Sequence, residues 1–172
     1  MNAARCLKLP ALFLLLTLIL GCAPQPEGKI RVLFDTDTNN ELDDQHALAY
    51  LLQNDDIFEV EAVTVNATHS GGGIEEQYAE AKRVMRLVGK LGVCPLLKGA
   101  DRSFDEIREH LGEEYYDGID AVEYIIERAK ASGEEKLVVI AVGKLTNIAL
   151  ALEKAPEISR NIRLVWLGSN YP

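Results

Sequence analysis

The sequence predicts an α/β fold, in which a Rossmann-like, open and mainly parallel sheet carries helices on both faces. Two observations lead to this prediction. The apolar, β-branched segments lack polar alternation, as strands covered on both faces do. They also alternate along the chain with segments whose apolar residues recur at helical spacing, which is the order of strand-helix-strand units.

Five apolar runs are predicted to be strands. Ile30–Phe34 and Phe58–Val65 are rich in β-branched residues, and Cys94–Leu97 is a plausible third, short strand. Lys136–Val142 is almost continuously apolar, and Ile162–Leu167 is the last such run.

Four longer segments are predicted to be helices, namely 41–53, 74–91, 121–131 and 146–154. The apolar faces of the first three are formed by Leu48, Leu51 and Leu52; by Ala81, Val84, Met85 and Val88; and by Val122, Ile125 and Ile126. Pro156 ends the fourth helix, because proline cannot continue the hydrogen-bonding pattern. In the polar region between the third strand and the third helix, Phe104–Leu111 is expected to form one or two helical turns.

The protein is acidic. Its 172 residues include 18 basic and 27 acidic side chains, which give a formal net charge of −9. With 48% apolar and 26% charged residues, the composition is typical of a globular domain rather than of a disordered or multi-span membrane protein. Nucleic acids and anionic lipid surfaces require clustered Lys and Arg, so we exclude nucleic-acid binding.

Residues 1–21 have the three-part layout of a secretory signal peptide. Met1–Pro10 carries two basic residues and no acid, and Ala11–Leu20 is an apolar run of about ten residues, too short for the roughly 20 that span a bilayer. The motif that ends at Cys22 resembles the bacterial lipoprotein box, which implies lipidation of that cysteine; an ordinary signal peptide with an incidental cysteine is the alternative. We expect a lipid-anchored protein of the bacterial cell envelope, at the outer membrane on its periplasmic or surface side, with residues 22–29 as a flexible tether.

Cysteine usage predicts no intramolecular disulfide. Cys6 leaves with the signal peptide and Cys22 is lipidated, so Cys94 remains alone. The apolar sequence around Cys94 indicates a buried structural thiol rather than a nucleophile. We interpret Trp166 as a packing residue.

The segment from Asp35 to Asp44, directly after the first predicted strand, holds five carboxylates in ten residues. Their mutual repulsion is unfavourable unless a cation or water compensates for it. Helix capping and the helix dipole explain Asp43 and Asp44, which stand where a helix begins. Neither explains Asp35 and Asp37 at the end of an apolar strand. Ca²⁺, which binds about six to eight oxygen atoms, is the natural compensating ion.

Two known metal motifs fit this segment only in part. The alternating acids are typical of an EF-hand, but Asn40 replaces the turn glycine and His46 replaces the bidentate glutamate. Phosphatases of the haloacid dehalogenase type have Asp-x-Asp after the first strand, with the first Asp as nucleophile beside Mg²⁺. Asp35 and Asp37 match that motif, but the pair Asp43–Asp44 is foreign to it, so an Mg²⁺-dependent phosphatase stays as a weaker alternative.

The segment resembles more fully the N-terminal signature of the inosine/uridine-preferring nucleoside hydrolases. In that family an apolar strand runs into Asp-x-Asp, a short turn and Asp-Asp at the start of a helix. The turn of residues 38–41 is about two residues longer than the family's usual turn around Pro-Gly, which indicates a divergent lipoprotein subfamily. A second match, Val142–Ala151, resembles the family's Gly-Pro-Leu-Thr-Asn-Ile-Ala segment, with Lys144 in place of proline.

The resemblance implies a hydrolase that cleaves the N-glycosidic bond of purine or pyrimidine ribonucleosides into ribose and free base, as in nucleoside salvage. It also implies a Ca²⁺ site. In that site Asp37, Asp44 and the backbone carbonyl of Thr146 would be ligands, and Asp35 would stand behind them or act as a further ligand. The ion would lower the pKa of water, so that the protein needs no nucleophile of its own.

Further roles follow from the same resemblance. Asp37 would be the general base for the attacking water, and Asp43 would hold the ribose hydroxyls. Neighbouring carboxylates suit this reaction, since its transition state resembles an oxocarbenium ion. Asn147 is a candidate substrate contact, although a position at the start or in the first turn of its helix explains it equally well.

The resemblance covers residues 30–172, which correspond to roughly the first half of a nucleoside hydrolase domain. We therefore expect that the sequence is a truncated reading frame, a domain fragment or one part of a split gene. The expected partner is a small-molecule nucleoside, and the resemblance leaves a homo-oligomer open. The alternative from another functional class is a non-catalytic surface lipoprotein that keeps a Ca²⁺- or carbohydrate-binding loop.

Overall fold

A computed structural model of the chain describes residues 28–131, 133 and 135–168. The strands are β1 (Ile30–Thr36), β2 (Phe58–Val65), β3 (Leu96–Lys98), β4 (Leu137–Val142) and β5 (Ile162–Leu167). The helices are α1 (Leu42–Gln53), α2 (Ile74–Leu87), α3 (Phe104–Ile107), α4 (Ile119–Lys130) and α5 (Thr146–Lys154), with 3₁₀ turns at Arg108–His110 and Pro156–Arg160. The predicted signal peptide, Cys22 and the last four residues lie outside the described residues.

The strands form one open sheet in the order β3-β2-β1-β4-β5, and all of the strand pairs are parallel. Leu48, Leu52 and Met85 of α1 and α2 pack with Phe34 against one face of the sheet. The other face carries α4 and α5, whose buried residues pack around Leu33. The predicted α/β architecture with helices on both faces is therefore confirmed. Within the described residues, no helix is long and apolar enough to cross a membrane.

Two elements differ most in length from the sequence prediction, while the third strand is shifted to Leu96–Lys98 and other ends move by one or two residues. β1 continues two residues further, because Asp35 and Thr36 still pair with β2 on one side and β4 on the other. α2 ends at Leu87 instead of Leu91. Gly89, with φ +71°, donates its backbone N–H to the Arg86 carbonyl, and the next N–H bonds to the Met85 carbonyl, which is the hydrogen-bond pattern of a glycine-terminated helix.

The strand order creates a crevice at the carboxyl ends of the two central strands, β1 and β4. From β1 the chain builds β2 and β3 on one side, and it then crosses to build β4 and β5 on the other side. The loops that follow β1 and β4 therefore diverge at the carboxyl ends of these two strands. Ligands of open α/β sheets bind at such switch points.

Cys94 is the free cysteine of the described residues, and it is partly buried. Burial raises the pKa of its thiol to about 11. The thiol is therefore protonated at neutral pH, which agrees with the structural role predicted for it.

An ion-pair network ties β1, β2 and α4 together. The Glu61 side chain, only 5% exposed, accepts a hydrogen bond from Nε of Arg31 and another, 2.6 Å long, from Nε of Arg128. Burial acts to raise the pKa of Glu61, but the hydrogen bonds from Arg128 and Arg31 outweigh it, so the pKa is lowered. The ionised form of Glu61 therefore stabilises the folded state.

We predict that Glu61→Gln lowers the free energy of unfolding at neutral pH by about 1.5–3 kcal/mol, the usual contribution of hydrogen bonds to a charged group. The contribution of Glu61 is complete above its unfolded-state pKa and disappears as the pH falls through its lower folded-state pKa. Urea denaturation of wild type and variant should therefore give a difference that shrinks between neutral pH and about pH 3. The control Glu75→Gln, which removes the exposed partner of Lys98, should cost less than about 1 kcal/mol. A Glu61 difference of equal size at both pH values would contradict this role.

Candidate active site

Asp35, the first carboxylate of the acidic segment, is fully buried and saturated with hydrogen bonds. It accepts bonds from Thr64 Oγ1 (2.6 Å), Asn147 Nδ2 (2.7 Å) and Asn66 Nδ2 (2.8 Å). Burial raises the pKa of Asp35 to about 7, and these three hydrogen bonds act against that rise. Asp35 thus joins β1, β2 and α5, and it is not among the residues that line the crevice.

Asn147 lies in the first turn of α5, as one of its predicted interpretations had it, and is fully buried. Besides its bond to Asp35, Nδ2 donates to the Val65 carbonyl at 3.1 Å, and Oδ1 accepts the backbone N–H of Ala100 at 2.8 Å. Gly99 lies so close that a Cβ atom there would be 2.2 Å from Nδ2. The amide of Asn147 is therefore engaged inside the protein, whereas a substrate contact would need it to face the crevice.

Asp37 is placed differently from Asp35. It is 1% exposed, yet it lies at the bottom of the crevice, and within the described residues neither of its carboxylate oxygens has a hydrogen-bond partner. Burial raises the pKa of Asp37. Thr68 and Asn40 act against this rise, because they lie close to the carboxylate although neither forms a hydrogen bond of normal geometry with it. A buried carboxylate without partners is costly unless a ligand completes its coordination.

Gly143, at the end of β4, makes room for Asp37. Its φ of +119° favours glycine, and a Cβ atom at this position would lie 2.3 Å from Oδ1 of Asp37. Its backbone carbonyl accepts a 2.8 Å hydrogen bond from Nε1 of Trp166, which is 47% exposed and lines the crevice. Trp166 is therefore part of the cavity wall, and its interpretation as a packing residue was wrong.

Asp43 and Asp44 open α1 beside Asp37. Asp43 is exposed and lines the crevice. Asp44 is 7% exposed and accepts the backbone N–H of Glu41 at 3.2 Å. Burial and the charge of Asp37 together raise the pKa of Asp44 to about 7. A cation between Asp37 and Asp44 would offset the cost of both charges.

The candidate metal site is thus built from few groups. Thr146, the first residue of α5, is 7% exposed and follows Leu145, which lines the crevice, but Thr146 itself is not among the lining residues. In the part of the chain that the structure describes, no cluster of three or more His, Cys, Asp or Glu side chains could hold a metal ion by itself. The two carboxylates of Asp37 and Asp44 nevertheless fit a hard cation, because the oxygens of Asp37 find no partner in residues 28–131, 133 and 135–168 and each charge is unfavourable beside the other.

The crevice has a volume of about 690 Å³. Three sides surround it: the β1–α1 turn, the loop after β2 and the ends of β4 and β5. The lining residues outside the predicted set are Asn40, Glu41, Thr68, His69, Ser70, Gly143, Lys144, Leu145, Trp166, Leu167 and Gly168. The sequence did not assign a role to the loop after β2. Its position at the carboxyl end of a strand next to β1 could have indicated that it lines the site, because ligands of open α/β sheets bind at these strand ends.

The profile of the family described as inosine-uridine preferring nucleoside hydrolase matches residues 32–172. The chain belongs to this family. This nucleoside hydrolase family is metal-dependent. No curated protein sequence is significantly similar to the chain.

Solved structures of other proteins share the fold of this family member. The inosine-uridine preferring nucleoside hydrolase from Bacillus anthracis is 24% identical with a TM-score of 0.61, and the match covers 83% of this chain and 52% of that one. The purine-preferring ribonucleoside hydrolase from Gardnerella vaginalis is also 24% identical, with a TM-score of 0.61, and the match covers 81% of this chain and 49% of that one. The type III effector protein XopQ, complexed with adenosine diphosphate ribose, is 21% identical with a TM-score of 0.60, and the match covers 86% of this chain and 47% of that one. The chain therefore spans about half the length of these structures.

We predict that Gly143→Ala lowers the free energy of unfolding by about 1–3 kcal/mol, because alanine is strained at positive φ and its Cβ would displace Asp37. Thermal unfolding monitored by circular dichroism measures the change. Gly112→Ala is the matched control, since Gly112 has no such φ and open space around its Cβ position. Equal stability of the two variants would mean that the approach of β4 to Asp37 is not a constraint.

Proposed function

We propose that the protein is a Ca²⁺-dependent nucleoside hydrolase, or the N-terminal portion of one, which cleaves purine or pyrimidine ribonucleosides into ribose and base. One observation carries the proposal. Asp37 is buried at the bottom of a crevice of about 690 Å³, and both of its carboxylate oxygens lack partners among the described residues. Family membership supports the same reaction class.

Asp37, Asp44 and the backbone carbonyl of Thr146 would hold the ion. Bound Ca²⁺ supplies a positive charge that polarises water and anchors sugar hydroxyls. The two carboxylates support this assignment, since each raises the electrostatic cost of the other in the absence of a cation. Asp35 does not reach the crevice, so its part in the site is to position its neighbours rather than to bind the ion.

The chain's own groups act on the water and on the sugar. The carboxylate of Asp37 takes the proton of the attacking water as the C–N bond breaks, and solvent supplies the proton that the leaving base takes up. The negative charges of Asp37 and Asp44 stabilise the positive charge that develops on the sugar. Asp43, which is exposed in the crevice, accepts hydrogen bonds from ribose hydroxyls. Asn147 has an indirect role. Its side-chain amide holds Asp35 and the start of α5 in place through hydrogen bonds with the Asp35 carboxylate and the Ala100 backbone N–H.

The range of substrates follows the similar proteins. One is described as inosine-uridine preferring, a second as purine-preferring, and a third was solved with adenosine diphosphate ribose. Their common element is a ribose with a substituent at its anomeric carbon. We therefore propose a ribosyl compound as the substrate and expect the base to contact the outer part of the crevice, near Trp166.

The phosphatase alternative is disfavoured by the same geometry. It requires the carboxylate of Asp35 as a nucleophile that reaches a phosphoryl group. Asp35 is fully buried, and its oxygens accept three hydrogen bonds from the protein. A nucleophile needs an open line of attack, which Asp35 does not have.

We expect the protein, produced together with any coding sequence that follows Pro172, to release ribose from inosine, uridine or a nitrophenyl riboside in a reaction that a chelator abolishes. Asp37→Asn should lower kcat by about 10²–10⁴-fold, since it removes the general base. A reducing-sugar assay, with and without added Ca²⁺, measures both effects. The control is Asp56→Asn, which makes the same change at an exposed residue before β2 and should leave the rate unchanged.

The outcomes separate the alternatives. Activity that resists chelation would disprove the metal-dependent mechanism. Calorimetric Ca²⁺ binding without turnover would favour a non-catalytic binding protein, and Mg²⁺-dependent phosphate release that is lost in Asp35→Asn would favour the phosphatase.

We also propose that the protein is anchored in the bacterial cell envelope through lipidated Cys22. The apolar run that ends in Gly21-Cys22 supports this. Cells fed an alkyne analogue of palmitate should label the wild-type protein and should not label Cys22→Ala. Cys94→Ala is the control and should keep the label, because its partly buried thiol lies in the folded domain. Labelling of Cys22→Ala would rule out the anchor.

A further inference from the structure

A set of hydrogen bonds links the β1–α1 turn (residues 37–41) to the β2–α2 loop (residues 66–73). The backbone N–H of Asn39 donates to Oε1 of Gln77 at 2.7 Å, and Nδ2 of Asn39 donates to the Gly71 carbonyl at 2.9 Å. Nε2 of Gln77 donates to the same carbonyl, also at 2.9 Å. Ser70 Oγ adds a bond to Oδ1 of Asn40. We call the contacts of Asn39, Gln77 and Gly71 the clasp.

Gln77 is the central residue of the clasp. It lies on α2 and is 0% exposed, which is costly for an amide unless its polar atoms are paired. Both ends of its amide are paired within the clasp. A Cβ atom at Gly71 would lie 2.3 Å from Nε2 of Gln77 and 2.9 Å from Cα of Asn40, so the two segments touch without spare space.

The clasp holds a wall of the crevice. The β2–α2 loop contributes Thr68, His69 and Ser70 to the lining of the crevice. An antiparallel β-bridge between Thr68 and Gly72 joins the two sides of this loop. On the other side of the clasp, the β1–α1 turn connects Asp37 to the start of α1. One buried amide therefore fixes the loop wall relative to the carboxylates.

We propose that Gln77 and Asn39 are positioning residues that hold Thr68, His69 and Ser70 in place as the substrate-facing wall. The proposal rests on the proposed function, since it assigns that wall to the ribosyl substrate. Asn39 lies in the turn of residues 38–41, which is about two residues longer than the usual turn of the family that the sequence resembles. The longer turn thus supplies contacts that set the position of the neighbouring loop.

Two variants of the full chain test the proposal. Gln77→Leu removes both amide contacts at nearly constant volume, and Asn39→Ala removes one contact at an exposed position where folding is not at risk. We expect KM for the riboside to rise about tenfold or more for Gln77→Leu and by up to about tenfold for Asn39→Ala, with kcat changed less. Hydrogen-deuterium exchange of peptides that cover residues 66–73 should accelerate in both. Gln53→Leu and Asn54→Ala, at the far end of α1, are the matched controls.

The measurements distinguish the failures. Unchanged exchange of residues 66–73 in both variants would overturn the clasp, and faster exchange with unchanged KM would overturn its role in substrate binding. An inactive wild-type protein would instead defeat the proposed function, and exchange alone would then decide whether the clasp positions the loop. If Gln77→Leu fails to fold, Asn39→Ala still gives both readouts.

Discussion

The site depends on the burial of one carboxyl group at the end of the central strand. Asp35 has no exposed surface, and its two oxygens are bonded by Thr64 and Asn66 from the β2 side and by Asn147 from α5. Burying a carboxyl group costs free energy unless hydrogen-bond donors or a cation compensate for it, and donors do so at Asp35. Those donors come from segments far apart in the sequence. The requirement therefore holds the carboxyl ends of β1 and β2 and the start of α5 together.

The contrast between Asp35 and Asp37 shows how position separates two identical side chains. The two residues are only two positions apart, but Asp35 is enclosed by donors, whereas Asp37 meets the crevice without a hydrogen-bond partner among the described residues. Gly143 permits this by leaving no side chain between β4 and Asp37. Groups of the same type in different environments take different roles. Here one carboxylate links three elements of the fold, and the other faces the crevice.

The crevice itself is a consequence of topology. The chain turns to opposite sides of the sheet after β1 and β4, so the loops after these strands part and leave space between them. The acidic β1–α1 turn, the β2–α2 loop and the end of β5 then close three sides. The matched solved structures are about twice as long as this chain. The crevice walls described here are therefore built from the part of the fold that matches about half of such a structure.

The sequence by itself determined the fold class, most element bounds and the acidic segment as the centre of the site. These features are local, since strand and helix periodicity and acids at a strand end are visible within a few neighbouring residues. α5 and β5 accordingly match their predicted ranges. The separate roles of Asp35 and Asp37, the inward position of Asn147 and the place of Trp166 in the cavity wall were decided by tertiary structure alone. Each depends on contacts between distant segments, such as the bond between Asp35 and Asn147 across 112 residues, and local pattern carries no information about such contacts.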